Sequence, residues 1–169
     1  MYLGWIDKTK MDDRPTFDYE GMPVRAAGIL VWCTSNGKTH RLFRYVKKKY
    51  EDIGGKTDPG DASAIETAIR ETVEETDGKL FCATDTRDTC ADKLRLRLRN
   101  IKDNCIEYNQ ISKYLLFKLE VEPDLLHEPM KRFGLSEETD WGTLDHYYKW
   151  RHSLPYHNQL HYRLRGMRL

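Results

Sequence analysis

The stretch from Gly54 to Gly78, GGKTDPGDASAIETAIRETVEETDG, decides how the rest of the chain is read. It joins a glycine turn to a segment in which Arg70, Glu71, Glu74 and Glu75 crowd together. At about 100° per residue, an ideal helix puts Glu74 roughly 60° to one side of Glu71 and Glu75 roughly 40° to the other. The three carboxylates therefore share one narrow face. Ile65, Ala68, Ile69, Thr72 and Thr76 fall on a neighbouring arc with Val73 at its edge, which predicts a core-facing stripe. Like charges this close repel, by a few tenths of a kcal/mol for each i,i+4 pair, so a counter-charge is expected nearby. Hard oxygen donors on one face suit Mg2+ or Mn2+, ions that commonly meet phosphate.

The ends of this helix are also written in the sequence. Ser63-x-x-Glu66 reads as a capping box, with Ser63 as N-cap of a helix over about 63–77. Asp77-Gly78 reads as a left-handed C-cap in which the capping glycine, Gly78, arrives with a delay of a single residue.

These residues resemble the Nudix box, G-x5-E-x7-R-E-U-x-E-E-x-G-U, where U is a bulky apolar residue. Gly55 serves as the first glycine, Asp61 stands in for the first glutamate, and Arg70-Glu71-Thr72-Val73-Glu74-Glu75 reproduces the central R-E-U-x-E-E with Thr72 at U. Eight residues rather than seven separate Asp61 from Arg70. The N-cap at Ser63 places the extra residue before the helix, so deleting Ala62 should leave the carboxylate face in register. Asp61 itself, after Pro59-Gly60, reads as a turn former.

The resemblance spans about residues 24–150 and implies an α/β fold, a Nudix-type α/β/α sandwich with a mixed β-sheet. It also implies roles. Glu74 and Glu75 would be direct metal ligands, Glu71 a ligand or general base, and a carbonyl of Gly54 or Gly55 a further ligand for Mg2+ or Mn2+. Arg70 would lie beside Glu74 and orient a carboxylate by charge-assisted hydrogen bonds. The family often takes its base from outside the box, and Glu107 is the candidate here.

Composition agrees with one compact domain over residues 1–169. The chain is 39% hydrophobic and 33% charged, globular rather than disordered, and its net charge of +1 gives no general attraction to nucleic acid. Cys33, Cys82, Cys90 and Cys105 are widely spaced without a C-x-x-C pair, which points to reduced thiols in a cytoplasmic protein rather than a zinc knuckle or disulfide framework. The opening MYLGWIDKTKMDDRP has no long apolar run and reads as neither signal peptide nor membrane span.

Outward from the box, residues 1–22 read as an irregular lead-in. Arg25–Cys33, RAAGILVWC, is apolar enough for a buried strand, Asn36-Gly37 marks a hairpin, and His40–Val46 is its return strand. Lys47–Tyr50 reads as a basic turn and Lys79–Ala83 as a short strand. Leu94-Arg95-Leu96-Arg97-Leu98-Arg99 alternates like a strand, but its surroundings favour a helix within Thr86–Lys102. Ile106–Tyr108 and Ser112–Glu122 read as paired strands, and Glu137–Trp150 as a helix or a strand followed by a helix.

Basic residues that could hold the rest of a substrate are Arg25, opening the first strand, Arg44, within the second, and Lys56, in the glycine loop. Trp32, Tyr45 and Tyr114 offer base-stacking rings, although aromatics in strands are more often core. The segment 149–169 holds Arg151, Arg163, Arg165 and Arg168 with no acidic residue, a composition suited to RNA phosphates or to a solvated tail. The expected activity is hydrolysis of a phosphoanhydride in a nucleoside diphosphate linked to another group. Alternatives are mRNA decapping, hydrolysis of inositol pyrophosphates, or a non-catalytic nucleotide sensor.

Overall fold

The computed structural model describes residues 12–35, 37–46, 49–128 and 139–143. Its centre is a seven-stranded mixed sheet made by β3 (Ala26–Ser35), β4 (Lys38–Val46), β5 (Lys49–Glu51), β6 (Gly54–Lys56), β7 (Ile106–Asn109), β8 (Tyr114–Glu120) and β9 (Thr139–Thr143). Among the described residues two complete α-helices accompany it, α1 (Ala64–Glu75) and α2 (Arg87–Leu98). The chain thus has the α/β class and the mixed sheet that the sequence leads one to expect.

β3 runs parallel to β8 and antiparallel to β4 and β6. Arg41 pairs with Trp32 on one side and Gly142 on the other, while Arg44 pairs with both Glu51 and Thr139. β5 therefore lies on the β3 side of β4, opposite β9. β3 and β4 diverge, and residues 49–56 fill the fork, pairing first with β4 and then with β3. Lys49 and Tyr50 of the expected basic turn, and the start of the glycine loop, are strands for this reason, residues 47 and 48 lying outside the described residues: the fork leaves backbone donors and acceptors on both sides that a loop would not satisfy.

Alternation sorts the two faces of the sheet. Ala27, Ile29, Val31 and Cys33 of β3, Tyr108 of β7, and Leu115, Phe117 and Leu119 of β8 share one buried cluster with Ala68, Ile69 and Val73 of α1 and Cys90, Leu94 and Leu98 of α2. The opposite face carries Leu30, Phe43 and Leu116, also buried. That two-sided burial is why β3 reads as a continuous apolar run.

α2 resolves the ambiguous leucine alternation. Leu94 and Leu98, one turn apart, are buried, whereas Leu96 points the other way and is 64% exposed. Thr86 caps the helix, its Oγ1 accepting from the Thr89 amide at 3.1 Å. A strand would have buried all three leucines on one face; a helix buries two, each worth about 1.5–3 kcal/mol over exposure.

Two further expectations are corrected. The lead-in contains a hairpin, β1 (Phe17–Tyr19) with β2 (Met22–Val24), turned by Glu20 and Gly21 at φ 50° and 80°. Left-handed angles at both central residues give the primed turn that follows strand twist, but Glu-Gly is a weak signal and Pro23 reads against a strand. Residues 79–83 form no strand; they are an irregular connection, with Leu80 fully buried. Of the alternatives for Glu137–Trp150, a helix or a strand followed by a helix, the described residues 139–143 form the strand β9; the rest of that stretch and the basic segment 149–169 lie outside the described residues. No described helix is long and apolar enough to cross a membrane, and all four cysteines are free.

Candidate functional site

α1 is fixed at both ends. The Ser63 Oγ accepts from the Glu66 amide at 3.3 Å, as an N-cap should. The reciprocal half of the capping box is not made. The Glu66 carboxylate instead takes Arg95 of α2 at 2.7 and 2.9 Å, tying the two helices together. At the other end Asp77 is itself left-handed at φ 49°, with Gly78 at 69°. The Gly78 amide donates to the Val73 carbonyl at 2.9 Å and the Asp77 amide to Glu74 at 3.3 Å, the pair of bonds of a Schellman motif. The cap is therefore not delayed: Asp77 occupies the glycine's own place, because a short acidic side chain tolerates the left-handed region.

The stripe expected to face the core does so. Ala68, Ile69, Thr72, Val73 and Thr76 are buried, and Ile65 packs at the cluster's edge. Thr72 fills a position that favours a bulky apolar group, and its hydroxyl donates to the Ala68 carbonyl at 2.8 Å, so nothing polar is stranded.

Arg70 is the hub of the exposed side. Its Nε donates to Asp61 Oδ1 at 2.8 Å and its Nη2 to Asp61 Oδ2 at 3.1 Å and to the Lys56 carbonyl at 2.8 Å. Its Nη1 reaches Glu71 Oε1 at 3.0 Å and both Glu74 oxygens at 3.4 Å. This is the counter-charge that the crowded carboxylates call for, but its principal partner is Asp61 rather than Glu74. Asp61 has a side chain only 5% exposed, and also accepts from the Thr67 hydroxyl at 2.8 Å and the Asp58 amide at 2.9 Å. The role of turn former accounts for the Asp58 bond and misses the other two. The signal available was an acidic residue where the box expects one, displaced by a single position.

Burial and charge set opposite protonation tendencies here. Burial disfavours the Asp61 anion, but the donors of Arg70, Thr67 and Asp58 outweigh it and hold its carboxyl below the ordinary range. Burial pushes Glu71 up, the neighbouring charges of Glu74 and Asp61 add to this, and Arg70 opposes it.

The two glycines of β6 face opposite sides of the sheet. Gly55 is opposite Ala27, on the α1 side, where a Cβ would stand 2.4 Å from Glu71 Oε1. Only a residue without a side chain lets Glu71 lie against this strand. The obstacle is the tip of a flexible side chain, so Gly55→Ala is expected to shift the unfolding midpoint little. By displacing the Glu71 carboxylate it should lower kcat by about 100-fold. Denaturation and steady-state turnover on the same variant check both halves.

The donor set fits a hard divalent cation in kind: three glutamates on one helix, and the backbone of the strand that Glu71 lies against. As they stand, no three described His, Cys, Asp or Glu side chains are grouped to hold a metal, and Arg70 bonds Glu71 and Glu74. Glu74 is the more open of the two, with a side chain 46% exposed.

The other expected site residues are dispersed. Glu107 pairs with Leu116, which pairs with Gly28, so it projects from the sheet face away from α1, where it forms an ion pair with Lys118. Arg25 is engaged by Asp12 at 2.5 Å, the Arg14 carbonyl at 2.7 Å and Thr16 at 3.0 Å, holding residues 12–16 against the start of β3. Lys56 is exposed beside Arg70, to which it lends its carbonyl. Arg44 lies on β4, its side chain outside the described set.

No family model matches the chain, and no curated protein is similar to it. Among solved structures, the chain is similar to the crystal structure of an Ap4A hydrolase from C. elegans, at 24% identity and a TM-score of 0.42 over 75% of this chain and 84% of that one. It is likewise similar to a binary complex of a C. elegans Ap4A hydrolase, at 22% identity and a TM-score of 0.44 over 83% and 94%. At that level of superposition the likeness decides nothing about this chain's chemistry.

Proposed function

We propose that this chain is a Nudix-type pyrophosphohydrolase that uses Mg2+ or Mn2+ to cleave a phosphoanhydride bond in a nucleoside diphosphate linked to another group. The observation that carries this reading is the Arg70 network. A half-exposed helix face with three glutamates is ordinarily a solvated surface, but here Asp61 and the Lys56 carbonyl hold one arginine among them, and Glu71 is pressed onto Gly55. That is far more restraint than a solvated face needs.

In this reading Glu74 and Glu75 hold the cation, with Glu71 and the β6 backbone at Gly54 or Gly55 completing the oxygen set. When bound, the cation would neutralise phosphate oxygens and favour the attacking water. Asp61 keeps Arg70 from collapsing fully onto Glu71 and Glu74, so that these two carboxylates remain available. Burial raises the proton affinity of Glu71, which suits a group that takes a proton from water. Lys56, exposed at the end of β6, would meet a further phosphate.

The decisive experiment is turnover against a panel of nucleoside triphosphates, dinucleoside polyphosphates, nucleotide sugars, capped RNA and inositol pyrophosphates. Cleavage of a nucleotide member with Mg2+ or Mn2+, abolished by excess EDTA and restored by fresh metal, is expected. Carboxylate oxygens hold such ions weakly enough for a chelator to remove them. Full turnover in EDTA by metal-free protein would overturn the metal reading, and tight nucleotide binding without cleavage of any panel member would make the protein a sensor.

A further inference from the structure

Gly54 presents the other side of β6. It lies opposite Gly28 of β3, and on that face, away from α1, the Tyr114 hydroxyl is seated across the pair. A Cβ on Gly54 would stand 2.1 Å from this hydroxyl and one on Gly28 1.9 Å from it. Neither glycine answers to the tyrosine alone. A Cβ on Gly54 would also meet the Ala27 carbonyl at 2.7 Å, and one on Gly28 the Ile53 carbonyl at 2.4 Å. The two backbones thus close to near contact and the phenol rests on the seam.

Tyr114 is itself well anchored. It opens β8 opposite Ala26, directly after Lys113, whose left-handed φ of 53° ends the β7–β8 turn and whose carbonyl accepts from the Arg25 amide at 2.9 Å. β6, by contrast, is three residues long. Backbone bonds at its ends, from the Ile29 amide to the Ile53 carbonyl at 3.0 Å and from the Thr57 amide to the Arg25 carbonyl at 3.1 Å, fix its pairing with β3, so the groups on its two faces act on its height rather than its register.

We propose that Tyr114 is a positioning residue for the α1 carboxylates, acting through β6. The contacts run from the Tyr114 hydroxyl to Gly54 on one face of the strand and from adjacent Gly55 to Glu71 on the other. Displacement of the strand toward Tyr114 is opposed by the phenol, and the Glu71 carboxylate follows the strand on the α1 side. The phenol thereby sets the plane against which Glu71 lies and the height of the backbone carbonyls beside it. This rests on the reading of the α1 face as a metal site, and goes beyond it by giving a role to a residue on the far side of the sheet.

The test compares wild type with Tyr114→Phe, which removes only the hydroxyl, and Tyr114→Leu, which removes the ring. Three measurements are made on each: thermal unfolding, kcat and KM on the cleaved panel substrate, and Mn2+ binding by the protein alone, followed by electron paramagnetic resonance. Tyr114→Phe is expected to unfold within a few degrees of wild type, keep KM within about twofold, and lose about tenfold in kcat and in Mn2+ affinity. Tyr114→Leu should lose more of both. Amide and side-chain NMR of Tyr114→Phe should show shifts at Gly55 and Glu71, across the strand from the change. Shifts confined to β8 and the far face, with kcat and Mn2+ affinity as in wild type, would overturn the proposal. So would losses that follow unfolding alone. Wild type that binds Mn2+ but cleaves nothing removes the hydrolase reading while leaving the Mn2+ and NMR outcomes to decide on Tyr114. Wild type that neither binds Mn2+ nor cleaves removes both.

Discussion

Glu74→Gln and Glu75→Gln should each lower kcat by about 100- to 1000-fold at saturating metal, while leaving the protein as stable as wild type or slightly more so. The size of the loss follows from what a bound cation would supply: a charge that offsets developing negative charge on phosphate oxygens, an effect on the order of several kcal/mol in the transition state. Glutamine keeps the length and helix propensity of glutamate and removes only the charge. The stability side follows from the crowding on α1. Glu71, Glu74 and Glu75 repel one another, and Arg70 divides one charge between Glu71 and Glu74 while bonding Asp61 more closely. Removing one carboxylate relieves repulsion of a few tenths of a kcal/mol per pair. Urea denaturation and metal-titrated kinetics on each variant check the two halves. Near-normal turnover by either variant would remove that residue from the ligand set.

The same crowding explains why the helix is legible in the sequence and its surroundings are not. Ser63, the apolar stripe and the acidic face are local patterns with the helical period, and each falls where the period puts it. Thr86 and the one-turn spacing of Leu94 and Leu98 work similarly for α2. What escapes such reading depends on contacts between segments distant in sequence. β5 and β6 are strands because β3 and β4 diverge, and no property of KYE or GGK announces that. Glu107 sits on the face away from α1 because β7 pairs with β8 in one register; a shift of one residue would have turned it round. Arg25, whose place at a strand opening suits a cleft, is taken up by Asp12 in a lead-in that reads as irregular. Tyr114 reads as an ordinary strand aromatic, since only three-dimensional proximity puts its hydroxyl on Gly28 and Gly54.

Asp61 is where sequence and structure diverge with the largest consequence. If the extra residue before the helix merely displaced a turn aspartate, deleting Ala62 would be harmless. In the structure Asp61 reaches forward to Thr67 and Arg70 while held from behind by the Asp58 amide, so the loop length positions this carboxylate. Deleting Ala62 joins Asp61 directly to the N-cap and pulls it out of that clamp. The deletion should therefore behave like Asp61→Asn. In Asp61→Asn the guanidinium, 29% exposed, loses its closest counter-charge, which is expected to cost about 1–3 kcal/mol, reduced from the fully buried case by partial exposure. Arg70 then turns to Glu71 and Glu74, and the metal concentration needed for half-maximal activity rises. The pH dependence has a definite sign. Asp61 has its carboxyl held below the ordinary value of 3.8, so its contribution is complete above that value and is lost as pH falls through the depressed one. Glu71, raised by burial, acts oppositely: its ionisation costs stability as pH rises through its raised value. Asp61→Asn should accordingly differ most from wild type near neutrality, with the gap in unfolding midpoint narrowing below about pH 4. A gap independent of pH would mean that Asp61 acts by packing rather than charge. A fully active deletion of Ala62, with Asp61→Asn impaired, would mean that the shortened loop still delivers Asp61 to Arg70.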